Sequence, residues 1–234
     1  MIRTRWLVLA FVLALPLALV LRAPASLLVP AFSGVPLAGA PLVCGGAHGT
    51  VWDGGCRWHW RDYQGDLSWQ LDAHGLMPGV AVDLSGGVQL QGWLGAGPGT
   101  VVVQGLDGRL PAALLEQMSP ASAEGSLNVS SVSLRWQTER LSDVAGSLRY
   151  SGGAVSWNNG RGEATVPPLD AVLEPLADGA ALVVTDDNGN LLMRGEVISN
   201  SGSLKVFRAW PQLLGVSRGG EPADVVFQTS RPLW

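Results

Sequence analysis

Three histidines, His48, His59 and His74, lie in the first third of a 234-residue chain and are the side chains best suited to move a proton near neutral pH. A hydrolase would pair one of them with a nucleophile and an orienting carboxylate, and no recognisable triad motif surrounds any of the three. His59 alternates with Trp58 and Trp60, the pattern of an outward-facing strand position. Asp186 and Asp187 are the nearest approach to an acid and base pair, but Asn188-Gly189 follows them directly, so the segment reads as a solvated turn. Cys44 and Cys56 bracket a glycine-rich stretch, with only His48 and His59 near the two cysteines as further ligands, too few at the wrong spacing for zinc. In an oxidising compartment the two thiols would close a short loop and stabilise the fold by roughly 3 kcal/mol. The other reading of the same residues is two separate buried thiols. No catalytic, cofactor-binding or metal-binding constellation emerges, and enzymatic activity is not expected.

The elements that would position these side chains are strands. Thirty-one Gly, ten Trp and only 15% charged residues describe many tight turns and large aromatic anchors, unlike a helical bundle. Cys56 to Arg61 alternates strictly, with Cys56, Trp58 and Trp60 on one face and Arg57, His59 and Arg61 on the other. Similar period-two runs carry Leu67-Trp69-Leu71, Val80-Val82-Leu84, Val88-Leu90, Val101 to Val103, Ser126 to Val129, Val132 to Trp136, Val144 to Tyr150 and Ala154 to Trp157. Ala181 to Thr185, Leu191 to Ile198, Gly202 to Leu204 and Val225 to Phe227 complete the series. Hairpin turns are expected at Gly152-Gly153 and over Asp186 to Asn190. Two places break the rhythm: Pro111 to Met118 predicts a short helix opened by proline, and Ala209 to Leu214 a second helix or turn. The predicted fold is mainly β, an antiparallel, curved sheet or sandwich with one or two short helices. The strand-borne Trp residues are read as core anchors, with a ligand groove as the other use of the same side chains.

A net charge of −4, without clustered Lys or Arg, gives no footprint for a polyanion, so nucleic acid is not an expected partner. The N-terminus is different. Arg3 and Arg5 precede an uninterrupted apolar run from Trp6 to Leu21, closed by Arg22. As a helix it reaches about 24 Å, enough for an anchor with some snorkelling. Ala23-Pro24-Ala25 also fits a signal-peptidase site, with Arg22 in an unfavourable place beside it. Either way the positive flank keeps the N-terminus cytoplasmic and exports the remainder. The expected organisation is an anchor or uncleaved signal over 1–25, an apolar linker over 26–43 and a periplasmic β domain over 44–234.

One short segment then carries a resemblance. Gly49-Thr50-Val51-Trp52-Asp53-Gly54, close behind the apolar N-terminus, resembles the Gly-Thr-aliphatic-Trp-x-Gly signature of the type II secretion system protein N family. The order of features is similar too: a Trp-bearing strand near Leu67 to Leu71, then Gly105-Leu106-Asp107-Gly108-Arg109-Leu110-Pro111 leading to a short apolar helix, then Pro168-Leu169 and Leu173 to Gly179. The resemblance implies a non-catalytic inner-membrane accessory component of the secretion machinery, with other secretion subunits and the lipid bilayer as partners and no cofactor. It implies a structural role for Gly49, Thr50, Val51, Trp52 and Gly54, a tight turn that buries one Trp. Similar openings occur in periplasmic lipid-transport proteins. The alternative is therefore a lipid-binding or lipid-transport β-groove with a bound lipid.

Overall fold

A computed structural model of the chain describes residues 14, 15, 19–33, 36, 37, 40–117, 121–137, 140–157 and 161–232. Thirteen strands form one antiparallel sheet whose spatial order is its chain order. They are β1 (Val43–Gly49), β2 (Asp53–Trp60), β3 (Tyr63–His74), β4 (Met77–Gly86), β5 (Gln89–Gly97) and β6 (Thr100–Pro111). Then come β7 (Ser126–Gln137), β8 (Arg140–Tyr150), β9 (Leu169–Leu176), β10 (Gly179–Asp186), β11 (Leu191–Ile198), β12 (Ser201–Phe207) and β13 (Val225–Pro232). Each of the thirteen pairs with the next of them along the chain, the topology that short turns between alternating segments favour. Among the described residues the sheet stays open, with β1 and β13 as its edges. The predicted mainly β, antiparallel class with short helices is what forms.

Period-two alternation gives the sheet two unlike faces. A row of directly opposed residues runs Cys56, Leu67, Leu84, Leu90, Gly108, Val129, Leu148, Ala171, Val184, Met193, Val206, Phe227, one from each of β2 to β13. Every member is apolar or glycine. On the reverse face Arg149 meets Asp170, Arg194 meets Lys205, and Lys205 meets Gln228 across the strands. The apolar face is covered at two places. At the β1 end a 3-10 turn (Ala25–Leu27) and helix α1 (Val29–Phe32) set Ala25, Leu28 and Val29 against Cys44, Cys56 and Trp69. The stretch 26–43, expected as a linker, thus carries part of the core. Towards β13, helix α2 (Ala209–Leu213) brings Trp210 and Leu213 onto Leu169, Val184, Leu192 and Met193, with Val166 from a side hairpin.

Three sequence expectations change. Gly152-Gly153 does not turn a hairpin within the sheet. β8 pairs with β9, while Gly153–Trp157 leaves to form a three-stranded sheet with Gly162–Val166 and Ser122–Ala123. Gly152 has φ +82°, and a Cβ there would lie 3.0 Å from Pro168 N and Val166 O, so the dipeptide redirects the chain where two segments crowd it. Pro111 does not open a helix. It ends β6 opposite Ser126, where a missing N–H is tolerated, and a 3-10 helix follows over Ala112–Gln117; Met118 lies outside the described residues. Gly105 to Gly108, expected as an approach to that helix, lies inside the twelve-residue β6. Gly105, at φ +59°, sits where the register of β5 and β7 slips, a bulge that keeps the strand paired.

The anchor expectation rests on Trp6–Leu21, most of which lies outside the described residues. Its described parts, 14–15 and 19–21, are helical, and Leu15, Leu19, Val20 and Leu21 are exposed there. Among the described residues no helix is long and apolar enough to cross a membrane.

Candidate functional site

Residues 49–54 form the turn between β1 and β2. The Thr50 backbone N–H donates to Asp53 O at 2.7 Å, and the Thr50 hydroxyl oxygen accepts from the Asp53 N–H at 3.1 Å and the Trp52 N–H at 3.3 Å. This Thr-centred turn needs glycine at both ends. Gly49 has φ +80°, and a Cβ there would meet Asp53 O at 2.5 Å; a Cβ on Gly54 would meet Thr50 O at 2.6 Å. Trp52 is not the buried Trp that the resemblance implies. Half-exposed, it donates its indole N–H to Val20 O at 2.9 Å, and the Val51 N–H donates to Ala23 O at 2.9 Å. The turn therefore holds the end of the N-terminal apolar segment against the sheet. The buried indole beside the turn is Trp69, whose ring lies against Gly54.

Cys44 and Cys56 are bonded to each other across β1 and β2, with Cα atoms 5.8 Å apart. Both are buried, and Ala25 packs on them from the 3-10 turn. Disulfide, signature turn and N-terminal segment thus form one unit.

The three histidines are exposed, His59 as its alternation with Trp58 and Trp60 implies. Spacing did not reveal what surrounds His74. On the polar face of β3–β6 its ring stacks on Trp93 with centroids 4.3 Å apart, Nδ1 lies 2.9 Å from Gln104 Oε1, and Nε2 lies 3.4 Å from Asp72 Oδ2. Trp93 lies flat over Gly79 and Gly95, whose missing side chains make room for the indole. A shallow depression of about 560 Å³ opens beside this stack, lined also by Asp53, Ser68 and Asp83. Ser68 is a nucleophile by type, but both nitrogens of His74 are engaged by other groups, so neither is placed to take a proton from it. Among the described residues no group of three His, Cys, Asp or Glu side chains is arranged to hold a metal.

Asp186 is buried, which the reading of a solvated turn missed. Its carboxylate accepts from the Asn188 N–H at 2.9 Å, the Asn190 N–H at 2.8 Å and the Asn190 side-chain amide at 2.8 Å. Burial pushes the carboxyl up, but the Asn190 and Asn188 donors outweigh it and hold the group below its ordinary value. Its neighbour Asp187 is exposed and lies 3.6 Å from Arg149. Asp186 ties the β10–β11 turn through these three bonds. On β11, Glu196 is also held low, first by Arg194 Nε at 2.7 Å; Arg194 reaches Glu174 at 3.3 Å as well.

The second concavity lies on the apolar face, across β8 to β13. It encloses about 490 Å³ and is lined by Leu141, Leu173, Leu182, Val197, Leu204 and, at one end, Arg231. Leu182, Val197 and Leu204 were visible in the sequence as strand positions, Leu141 and Leu173 lay outside the strands expected there, and the assembly of all five into one trough required the register.

Residues 40–221 match the family model described as type II secretion system (T2SS), protein N. No curated protein and no solved structure matches the chain.

Proposed function

Because the chain belongs to the type II secretion system protein N family, which places it in type II secretion, we propose that it is a non-catalytic accessory subunit of that machinery, anchored in the inner membrane with its sheet in the periplasm. The family match, which spans most of the sheet, carries this reading. Supporting it, the segment with exposed apolar side chains at 15 and 19–21 is held to the signature turn by the Trp52 bond to Val20 O, and Arg3 and Arg5 precede it in the sequence. The apolar segment that ends at Leu21 then acts as the anchor, and the chain from Ala23 onward, including the 25–32 stretch that packs on the sheet, as the periplasmic domain, with the N-terminus cytoplasmic. A disulfide between Cys44 and Cys56 suits that oxidising side.

Contact with other subunits is assigned to β13. The β1 edge is partly covered: Pro24 bridges to Thr50, and the Cys44 N–H donates to the Ser33 hydroxyl at 3.4 Å. Among the described residues β13 has no strand beyond it, and Val225, Val226 and Phe227 are exposed. A free edge of this kind adds a partner's strand through backbone hydrogen bonds. Affinity purification from envelopes in mild detergent tests the reading. Secretion subunits should co-purify with the wild-type chain and be lost with Val226→Asp. Recovery of none with the wild-type protein, or N-terminal sequencing that begins at Ser26, contradicts it.

A further inference from the structure

We propose that the trough across β8–β13 holds an acyl chain of an anionic membrane phospholipid, with Arg231 at its headgroup end. The proposal rests on the inner-membrane location proposed above for its source of lipid.

The shape of the trough selects the occupant. Its floor is two rows of directly opposed residues on the apolar face. One row is Leu173, Leu182, Gly195, Leu204 and Thr229; the other is Pro175, Ala180, Val197, Gly202 and Arg231. The third row on this face, through Val184 and Met193, belongs with Trp210 and Leu213 of α2 to the neighbouring core cluster and does not line the trough. Two rows two residues apart are about 7 Å wide, narrower than the roughly 10 Å of a helix with its side chains. Five strands give a length of about 19 Å, which accommodates the roughly 15 Å that one leaflet's acyl chain occupies in a bilayer core. A partner's strand would bind the edge of the sheet and leave this face open.

Charge selects the headgroup. Arg231 is the one cation lining the trough, and it makes no ion pair among the described residues. Glu196, the only acid in the lining, belongs to the opposite face by register and is held by Arg194 at 2.7 Å. An apolar trough with a single unopposed guanidinium at its end is complementary to an apolar chain bearing a phosphate. Gly195 keeps the floor low between Leu182 and Leu204, and Gly202 does so between Val197 and Arg231.

The test quantifies phospholipid bound to the full-length chain purified in mild detergent and then incubated with mixed micelles of phosphatidylglycerol and phosphatidylethanolamine. Adding lipid in vitro separates this result from where the chain resides in the cell. Wild-type protein should retain phosphatidylglycerol. Leu204→Glu, at a position already 37% exposed, should lower retention at least about tenfold, because the new carboxylate would be desolvated against the chain. Gln228→Glu, on the reverse face of the neighbouring strand, should leave retention unchanged. Arg231→Ala should keep a lipid but lose the preference for the anionic headgroup. Unchanged circular dichroism and melting temperature establish that the variants are folded. Equal retention by wild type and Leu204→Glu, detergent alone in the trough, or a trough filled by a protein segment would overturn the proposal.

Discussion

The two ends of the sheet bury their apolar face in different ways. At the β1–β4 end, Cys44, Cys56, Trp58 and Trp69 are nearly inaccessible, a disulfide crosses two strands, and residues 25–32 close the surface from above. At the β9–β13 end the same face is aliphatic, α2 covers one row of it, and the two remaining rows form an open trough beside a bare edge strand. Glycine follows the same division. Around the signature turn it makes room for backbone, and in the trough it lowers a floor. The first end is built to hold position relative to the N-terminal segment; the second leaves surface for something else.

Substitutions should separate these roles. The largest effect is expected from Gly54→Val. Its Cβ would strike the carbonyl oxygens of Thr50 and His48, neither able to move without opening the turn, and a loss above roughly 4 kcal/mol follows. Failure of the chain to accumulate, or a melting transition lost in differential scanning calorimetry, is the expected readout; a near-normal melt would remove the distinction between the ends. Next is the disulfide. The Cys44→Ser, Cys56→Ser pair should lose about 3 kcal/mol in urea titration, and reductant should have no further effect on it. A wild-type melt insensitive to reductant would mean that this end is held by packing alone.

Asp186 sharpens the comparison because it is a buried, hydrogen-bonded group at the otherwise open end. Its folded-state pKa lies below the unfolded one, so its stabilisation is complete above the unfolded value and is lost as pH falls through the folded value. Asp186→Ala should cost about 2 kcal/mol at neutral pH, since three donors lose a charged acceptor. The deficit should shrink as acid protonates the wild-type carboxyl. A deficit constant between neutral pH and pH 2 would show that the turn does not depend on the carboxylate. The smallest change in stability, within about 0.5 kcal/mol, is expected for Leu204→Glu at the exposed trough position.

Much of this fold was legible as strict alternation. Cys56 to Trp60 buries alternate side chains as the pattern requires, and the Asp186 to Asn190 hairpin forms where Asn-Gly allows positive φ. What alternation lacks is partner identity. Gly152-Gly153 has the composition of a hairpin turn, yet the contacts that decide it come from Glu124, Val166 and Pro168, far away in sequence. The His74, Trp93 and Gln104 cluster and the trough were hidden for the same reason, because each depends on register between strands whose order no local signal states. The signature was legible as a turn. Its use of Trp52 to bind Val20 was not, since a half-exposed indole and a buried one have the same sequence context.

The central claim is that the chain is held at its β1 end and acts through its β13 end. The most direct measurement is export of a folded type II substrate from cells that express Val226→Asp at normal abundance and in the normal membrane fraction. The account predicts that the substrate accumulates in the periplasm while the variant stays anchored and disulfide-bonded. Wild-type export by that variant would contradict it.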